Sequence, residues 1–335
     1  MTKQNTKQST QQVSGFLAPQ QNPDIAIRLQ SLNKVYKGSN GKPDKHALKH
    51  LTLDIPKGCI FGLLGPNGAG KSTMINILAG TVVKSSGGAQ VWGVDIDENP
   101  RQARANIGVV PQELNIDAFF TPRETLDMMA GMFGVPKDER RIDAILEEVG
   151  LTEQAHSYAR TLSGGMRRRL LVGKAMVHEP PILVLDEPTA GVDVALRQKL
   201  WEMIRRLNAQ GVTIILTTHY LEEAEALCDR IAIINHGTLI TEAATEDLLA
   251  GAGKKTLVLT LAEHLEALPE KTKTALAKFD LDHEFDGTAL RLTYATATTT
   301  SGAILSKIGA SLEIKDISTE EPNLEDVFID MTSNT

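Results

Sequence analysis

The chain has 335 residues, of which 41% are hydrophobic, and its formal net charge at pH 7 is −7. This length accommodates one large domain and a smaller one, and the acidic balance argues against a surface that coats nucleic acid. The two cysteines, Cys59 and Cys228, have no C-x-x-C spacing, which disfavours a disulfide framework or a zinc site. No apolar stretch reaches the roughly 18–20 residues that span a bilayer, and the N-terminus lacks a signal peptide's apolar core, so we expect a soluble intracellular protein.

Two strands are predicted near the start of the chain. Residues 1–23 are rich in Gln, Thr and Ser, which predicts a disordered tail. Strands are then predicted over Ile25–Leu29 and over the alternating apolar positions between Leu48 and Ile55. Tyr36, which lies between them, is by itself typical of an aromatic residue at a strand edge.

A glycine-rich segment follows the apolar strand Ile60–Leu64 and runs into an apolar helix start at Met74. It fits the phosphate-loop pattern G-x-x-x-x-G-K-[S/T] in the strand–loop–helix context that the pattern requires. Backbone amides of such a loop surround phosphates at a helix N-terminus, where the helix dipole favours an anion. Lys71 is placed to reach the β- and γ-phosphates, and the Ser72 hydroxyl to ligate Mg²⁺. The predicted nucleotide-binding residues here are Gly65, Pro66, Asn67, Gly68, Ala69, Gly70, Lys71, Ser72 and Thr73.

A helix with a capping box is predicted after residue 120. Thr121 is positioned as its N-cap, with Pro122 at N1 and Glu124 at N3. Apolar side chains accompany this helix: Phe119, Phe120, Leu126, Met128, Met129, Met132 and Phe133. We favour a subdomain core for most of them, and the alternative is an adaptable methionine-rich and aromatic groove for a partner helix.

The pentapeptide Leu162-Ser163-Gly164-Gly165-Met166 precedes another predicted helix. A Ser-Gly-Gly sequence at a helix start is a second anion-binding terminus. Three arginines, Arg167–Arg169, follow it directly. Such a triplet on a helix is more often a solvated face than a nucleic-acid contact.

Two carboxylates end the apolar run Ile182–Leu185, which predicts a parallel strand buried on both faces. Ligands bind at the carboxyl ends of strands in open α/β sheets. Asp186 therefore suits a Mg²⁺ role. Glu187 suits the general base for an attacking water, a role typically worth about 10²–10⁴-fold in rate. The alternative, a simple strand cap, is disfavoured behind a phosphate loop.

Three further polar residues follow predicted strands or loops. Gln112 follows a strand that starts at Ile107, His219 follows the strand that starts at Val212, and Asp193 is positioned as a helix N-cap. Each alone is typical of a structural role. At the carboxyl edge of a parallel sheet, however, Gln112 would lie near the metal and the nucleotide, and His219 would lie near a γ-phosphate and orient the water.

The last part of the chain has no visible catalytic constellation. A linker is predicted over residues 251–255 and a terminal helix over residues 322–329. Short strands are predicted around residues 257–259, 290–292 and 312–314, with helices between them.

The phosphate loop, Gln112, the pentapeptide, Leu185-Asp186-Glu187-Pro188, Asp193 and His219 occur in one order. In that order they resemble the ATP-binding-cassette (ABC) ATPases over roughly residues 25–250. The pentapeptide ends in Met166 where glutamine is commonest in the family, a mild departure because Ser163 and Gly165 carry the phosphate contact. Residues 162–169, 186–193, 217–225 and the terminal Leu324–Phe328 are most similar to ATPase subunits of ABC-2-type exporters.

The resemblance implies an α/β fold: a phosphate-loop NTPase of the ABC ATPase type with a helical subdomain, plus a small C-terminal α+β domain. The implied division is a tail over 1–23, a nucleotide-binding domain over 24–250 and an accessory domain over 251–335. Two subunits would pair head to tail around two ATP molecules with Mg²⁺. The implied catalytic residues are Glu187, His219 and Gln112; the implied metal ligands are Ser72, Gln112 and Asp186. The implied nucleotide contacts outside the phosphate loop are Tyr36 on the adenine and, in part from the other subunit, Ser163, Gly164, Gly165 and Asp193.

The function that follows is an ATP-hydrolysing subunit that energises export across the cytoplasmic membrane by dimer closure and reopening. A separate multi-spanning permease would dock a short helix near residues 112–133 and hold the protein at the inner membrane face, without nucleic acid. One alternative is a soluble ABC ATPase acting on nucleic acid or ribosomes, which usually carries two cassettes or a coiled-coil insertion. Another is a regulatory ATPase without a membrane partner, in which the C-terminal domain is the sensor.

Overall fold

The computed structural model describes residues 24–38, 43–251, 254–296, 298–309, 311–320, 324–325 and 327–328. The predicted tail 1–23, and half of the predicted terminal helix 322–329, lie outside these residues. The strands are β1 Ile25–Tyr36, β2 Lys45–Pro56, β3 Ile60–Leu64, β4 Ser86–Val91, β5 Val94–Asp95, β6 Ile107–Val110, β7 Ile182–Asp186, β8 Thr213–Thr217, β9 Arg230–Asn235, β10 Thr238–Ala244, β11 Lys254–Leu261, β12 Leu281–Phe285, β13 Ala289–Ala295 and β14 Ile314–Glu320. The α-helices are α1 Lys71–Leu78, α2 Pro100–Ala105, α3 Pro122–Met132, α4 Ile142–Glu148, α5 Gly164–Met176, α6 Val194–Ala209, α7 Leu221–Leu227, α8 Thr245–Gly251, α9 Glu270–Leu276 and α10 Ser301–Ile308.

A six-stranded sheet in the order β10-β9-β3-β8-β7-β6 carries the candidate site. Its strands are parallel except for β10, which pairs antiparallel with β9. Residues Ile182–Leu185 of β7 are fully buried, as the uninterrupted apolar run predicts. Leu183 and Leu185 face a core cluster that includes residues of α3 to α6, whereas Ile182 and Val184 face one that includes α1. The carboxyl ends of β3, β6, β7 and β8 therefore meet at one edge of a sheet covered on both faces.

The smaller antiparallel sheet has the order β2-β1-β4-β5. The pairing of β1 with β2 shifts register near Ser31 and His50, both of which have left-handed φ angles of 48° and 49°. Because a bulge reverses which face a side chain meets, Leu48 and Leu51 are both buried despite their odd spacing. Strand β4 begins at Ser86 and pairs antiparallel with β1.

The helical part of the chain follows the local signals in the sequence. Thr121 and Glu124 form the predicted capping box at the start of α3, with Pro122 at its first position. Gly150 follows α4 with a φ of 63°, the left-handed conformation that favours glycine after a helix. Asp193 caps α6 by accepting a hydrogen bond from the backbone N–H of Leu196 at 3.0 Å.

Residues 254–320 form an antiparallel sheet, β12-β13-β11-β14, with α9 and α10 packed in its own core cluster. The predicted linker 251–255 is wrong at both ends, because α8 extends to Gly251 and β11 begins at Lys254. The third predicted strand begins at Ile314, and β12 was not predicted, since its polar sequence lacks a strand pattern. Leu324 and Phe328 pack against the core cluster of α3 to α6, so the predicted division at residue 250 stays a prediction.

Candidate functional site

The glycine-rich loop between β3 and α1 has little room for side chains. Gly65 and Gly70 have φ angles of 155° and 113°. A Cβ atom on Gly65 would lie 2.1 Å from the carbonyl oxygen of Ile234, and one on Gly70 would lie 2.6 Å from that of Ala47. Both positions therefore require glycine, which keeps the loop backbone free to approach a ligand.

Lys71 begins α1 and is the buried cation of the site, with 6% of its surface exposed. Its Nζ donates hydrogen bonds to the carbonyl oxygens of Gly65 at 2.5 Å and Pro66 at 3.3 Å. Burial lowers the pKa of this ammonium, while the nearby carboxylates of Glu187 and Asp186 oppose that shift. A buried ammonium with only neutral carbonyl acceptors fits a site for phosphate anions.

A cavity of about 160 Å³ brings the predicted nucleotide residues together. It is lined by Tyr36, Lys45, Ala47, residues 67–73, Gln112 and Glu187. Lys45 was missed by the sequence analysis, because only the pairing of β1 with β2 places it opposite Tyr36. The Nζ of Lys34 lies 4.7 Å from the Tyr36 ring centroid.

Glu187 is the point at which three predicted catalytic residues meet. Its Oε2 accepts a hydrogen bond from Nε2 of Gln112 at 2.8 Å and lies 3.3 Å from Nδ1 of His219. Its backbone N–H donates to the carbonyl oxygen of Thr217 at 3.0 Å, and its φ is 47°. A left-handed conformation costs a non-glycine residue on the order of 1 kcal/mol, so neighbouring contacts hold Glu187 in an uncommon backbone position.

Asp186 ends β7 beside Glu187 and accepts a hydrogen bond from Oγ1 of the buried Thr217 at 2.5 Å. The part of the chain that the structure describes contains no group of three or more His, Cys, Asp or Glu side chains that could hold a metal. The nearby oxygen donors are Asp186, the amide of Gln112 and the hydroxyl of Ser72. One carboxylate with neutral oxygens fits Mg²⁺, which retains waters and takes further ligands from phosphates.

Ser163, Gly164, Gly165 and Asp193 do not line the cavity that holds the phosphate loop. Ser163 caps α5, where its Oγ accepts from the backbone N–H of Met166 at 3.2 Å. Apart from its chain neighbours and the backbone of its own helix, no atom of the described residues lies within 4 Å of the position that a Cβ on Gly164 would take, whereas one on Gly165 would lie 2.7 Å from Cδ2 of Leu196. These four residues are called the second group below, and the predicted nucleotide residues that line the cavity are called the first group.

The prediction that Arg167–Arg169 form a solvated face is wrong. Each guanidinium donates hydrogen bonds to backbone carbonyl oxygens of a neighbouring loop: Arg167 to Ala159 and Arg160, Arg168 to Pro111 and Gln112, and Arg169 to Val149 and Gly150. Carbonyls left without a partner in buried loops require such donors. Arg168, with only 5% of its surface exposed, therefore fixes the segment that carries Gln112.

An exposed apolar patch lies on and before α3, close to the Gln112 segment. Its members are Phe119 at 72%, Phe120 at 36%, Met128 at 44%, Met132 at 75% and Phe133 at 45% exposure. The core that we favoured for these side chains is therefore wrong, although Leu126 is fully buried. Met128 and Met132, which are one helical turn apart, face outward because the opposite face of α3 packs against α4 and α5.

A second cavity of about 250 Å³ adjoins the apolar patch. Its lining includes Pro111, Met129, Phe133, Lys174 and His178. The His178 ring is stacked on Phe133 with centroids 3.8 Å apart, and burial lowers the pKa of Lys174.

None of the helices in the described part of the chain has the length and apolar character to cross a membrane.

Comparison with known proteins gives concordant matches. Residues 48–190 match the family described as ABC transporter. The linearmycin resistance ATP-binding protein LnrL of Bacillus subtilis (strain 168) is 36% identical over 316 residues, which cover 92% of this chain and 99% of that protein. The daunorubicin/doxorubicin resistance ATP-binding protein DrrA of Streptomyces peucetius is 35% identical over 315 residues, which cover 93% and 94% of the two chains.

Solved structures with similar folds include the following two. The cassette MJ0796, in a dimeric post-hydrolysis state bound to ADP and Pi, has a TM-score of 0.58 and 27% identity over 65% of this chain and 98% of its own. The protein cbiO1 from Clostridium perfringens, part of the ABC transporter complex cbiONQ, has a TM-score of 0.60 and 28% identity over 68% and 91% of the two chains. The predicted fold class is confirmed.

Proposed function

Because the chain belongs to the ABC transporter family and is an ATPase of that family, we propose that it is the nucleotide-binding subunit of an exporter. Its relatives LnrL and DrrA are named as resistance ATP-binding proteins, and the likeness covers nearly the whole chain. ATP hydrolysis at the described site would supply the free energy for moving a substrate across the cell membrane.

In this proposal Glu187 is the general base of hydrolysis. Its Oε2 would take a proton from the attacking water, while Gln112 and His219 hold the carboxylate in place. Tyr36 would stack on the adenine, and Lys71 with the loop amides would bind the phosphates. A magnesium ion, held by Ser72, Gln112 and Asp186, supplies charge neutralisation on the phosphate oxygens when bound.

We propose further that two copies of the chain close head to tail around two nucleotides. The supporting observation is that Ser163, Gly164 and Gly165 do not line the cavity of the phosphate loop. The open space around Gly164 leaves that second group accessible to a nucleotide of another subunit. Asp193, which also belongs to the second group, lies at the start of α6. The two subunits would close when ATP binds and reopen after hydrolysis, and this movement would drive transport.

The observation that carries the transport proposal is the apolar patch beside Gln112. Five large apolar side chains exposed within residues 119–133 indicate an interaction surface, because exposed apolar residues elsewhere on a protein are usually scattered singly. Arg168 of α5 donates hydrogen bonds to the carbonyls of Pro111 and Gln112. A movement of the Gln112 segment would therefore be transmitted to a helix docked between the patch and the second cavity. We assign this surface to a multi-spanning permease, which holds the protein at the inner face of the membrane.

Affinity purification from mild-detergent extracts of native membranes tests this assignment. Tagged wild-type protein should bring down one multi-spanning membrane protein in stoichiometric amount, identified by mass spectrometry. A variant with Phe119→Ser and Met132→Ser should lose that protein while its own ATP hydrolysis is retained. Val83→Ser is the matched control, since Val83 is also exposed (80%) but lies outside the patch.

Two outcomes would contradict the transport proposal. One is the absence of any multi-spanning partner from extracts of wild-type protein that still hydrolyses ATP, which would favour a regulatory ATPase without a membrane partner. The other is recovery of the partner by the patch variant at the wild-type level.

A further inference from the structure

The first turn of α6 contacts the second group and also the residue that follows His219. Asp193 caps this turn, and Leu196 lies against Gly165, where a Cβ atom would come within 2.7 Å of the leucine Cδ2. Arg197, the next residue, lies against the ring of Tyr220. Residues 193–197 are called the connector turn below.

Arg197 faces the residue that follows His219. Its guanidinium carbon lies 5.2 Å from the ring centroid of Tyr220, within the range of a cation–π contact. The buried Nε of Arg197 has no hydrogen-bond partner among the described residues. The Tyr220 ring is therefore a contact on which the position of this guanidinium depends.

Tyr220 in turn packs against the predicted catalytic histidine. The ring centroids of His219 and Tyr220 are 4.2 Å apart and their planes are tilted by 36°. The backbone N–H of Tyr220 donates to Oγ1 of the buried Thr218 at 2.9 Å, which anchors the residue next to β8. The position of the Tyr220 ring therefore limits where the His219 ring can lie.

The distance between His219 and Glu187, which depends on the position of this ring, is at the upper limit for a hydrogen bond. Nδ1 of His219 lies 3.3 Å from Oε2 of Glu187, and nearly half of the histidine side chain is exposed. Exposed side chains change rotamer readily, so a half-exposed histidine needs a second neighbour to stay near Glu187. A shift of a few tenths of an ångström therefore takes these two atoms beyond hydrogen-bond distance.

We propose that Arg197 and Tyr220 are positioning residues that keep His219 close to Glu187. Because the connector turn also contacts Gly165, a displacement of Gly165 changes the position of Arg197 and thereby that of His219. A subunit's own hydrolysis is thereby sensitive to the segment that it offers to the nucleotide of the other subunit. The inference rests on the proposed roles of Glu187 and His219 in hydrolysis. It does not depend on the permease.

Steady-state hydrolysis by full-length variants tests the two positioning residues. Tyr220→Leu should lower kcat about tenfold and leave the KM for ATP within about twofold of wild type, since the loss arises only after binding. Tyr220→Phe, which keeps the ring, should restore kcat. Arg197→Met should lower kcat by about threefold or more, and Arg197→Lys should recover part of the loss. Lys199→Met, on the exposed side of the same helix, is the control and should match wild type.

A double-mutant cycle with His219→Ala separates positioning from a general structural effect. If Tyr220 acts through His219, then adding Tyr220→Leu to His219→Ala should cause no further loss of kcat. A full additional loss, or a parallel loss of ATP affinity in Tyr220→Leu, would overturn the proposal. Wild-type kcat in His219→Ala would instead refute the proposed role of His219 itself.

Leu196→Ala tests the link to Gly165. The smaller side chain leaves a gap beside Gly165, so kcat should fall at least threefold while ATP binding stays unchanged. Wild-type kcat in this variant would refute the link.

Discussion

The Glu187 carboxylate is contacted by side chains from the ends of two neighbouring strands of the central sheet. Gln112 follows β6, Glu187 follows β7 and His219 follows β8, so the parallel register brings two side chains that are far apart in sequence to one carboxylate. The uncommon φ of 47° at Glu187 is maintained by these contacts and by Thr217. A carboxylate so fixed is placed for proton transfer without a prior rearrangement.

Replacing this carboxylate should separate binding from hydrolysis. Glu187→Gln keeps the shape of the side chain but removes the base, so we expect kcat to fall by about 10²–10⁴-fold. ATP should still bind, and an ATP-bound dimer should accumulate. Equilibrium nucleotide binding, phosphate release and size-exclusion chromatography measure the three effects. Near-normal hydrolysis would remove Glu187 from the role of base.

Lys45 should contribute to nucleotide affinity. It lines the cavity with Tyr36 and Asn67, and its charge would attract a triphosphate. Lys45→Ala should raise the Kd for ATP by about three- to tenfold, consistent with about 1 kcal/mol for a partly exposed ionic contact, and leave kcat unchanged. Lys49→Ala, an exposed lysine of the same strand that does not line the cavity, should bind ATP as wild type does. Equal affinities of the two variants would contradict the assignment.

The sequence predicted the residues whose roles depend on local spacing and missed those whose roles depend on register. The phosphate loop and the carboxylates after β7 are recognisable from neighbouring residues alone. Lys45 and Tyr220 are not, because their roles depend on strand pairing with Tyr36 and on a contact with the distant Arg197. Arg168 was misjudged for the same reason: its carbonyl partners lie about 56 residues away in sequence.

Among the secondary-structure elements, α5 connects the helical part of the chain to the catalytic edge. Arg168→Met should remove two hydrogen bonds to the carbonyls of Pro111 and Gln112 and leave both without that donor. We expect the free energy of unfolding to fall by about 2 kcal/mol, because buried acceptors lose a charged donor. Hydrolysis should also fall, because the Gln112 segment loses its support. Urea unfolding and phosphate release measure the two effects.

Arg205→Met is the control for this change. Arg205 donates one hydrogen bond to the carbonyl of Ala226 at an exposed position, so we expect a loss below about 1 kcal/mol and unchanged hydrolysis. Equal losses of stability in the two variants would contradict the prediction that the Arg168 hydrogen bonds stabilise the fold more than an exposed arginine does.

The elements themselves were predicted where the sequence carries local signals. The capping box of α3, the glycine after α4 and the buried run of β7 all follow from a few adjacent residues. The outward orientation of Phe119 and Met132 does not, because an apolar helix face is equally compatible with a core and with a docking surface. β12 escaped prediction because its exposed residues, such as Asp282 and Glu284, carry no apolar alternation.

At the scale of the whole molecule, the end of the chain returns to the nucleotide-binding core. Leu324 is 1% exposed and lies in the same core cluster as α3 to α6, and its backbone N–H lies 3.4 Å from the Glu225 carboxylate on α7. Leu324→Ala should therefore lower the free energy of unfolding of the nucleotide-binding part by about 2–5 kcal/mol. Ile317→Ala, at a position 47% exposed, should cost below about 1 kcal/mol. A loss confined to the C-terminal sheet would contradict this packing.

The central claim, a head-to-tail pair in which each site takes residues from both subunits, is tested most directly by mixing two inactive variants. Lys71→Ala disables the phosphate loop. Gly164→Glu places a charge in the second group at a position with no atom within 4 Å of the added Cβ, so the fold tolerates it. Each variant alone should hydrolyse almost no ATP, since every site in its dimer has one defective half.

In a 1:1 mixture, half of the dimers pair the two variants, and each of these has one site built from two intact halves. The proposal predicts recovery of about a quarter of the wild-type phosphate release, given random pairing and independent sites in a symmetric dimer. A mixture no more active than the separate variants, or full activity of Gly164→Glu alone, would contradict the shared site.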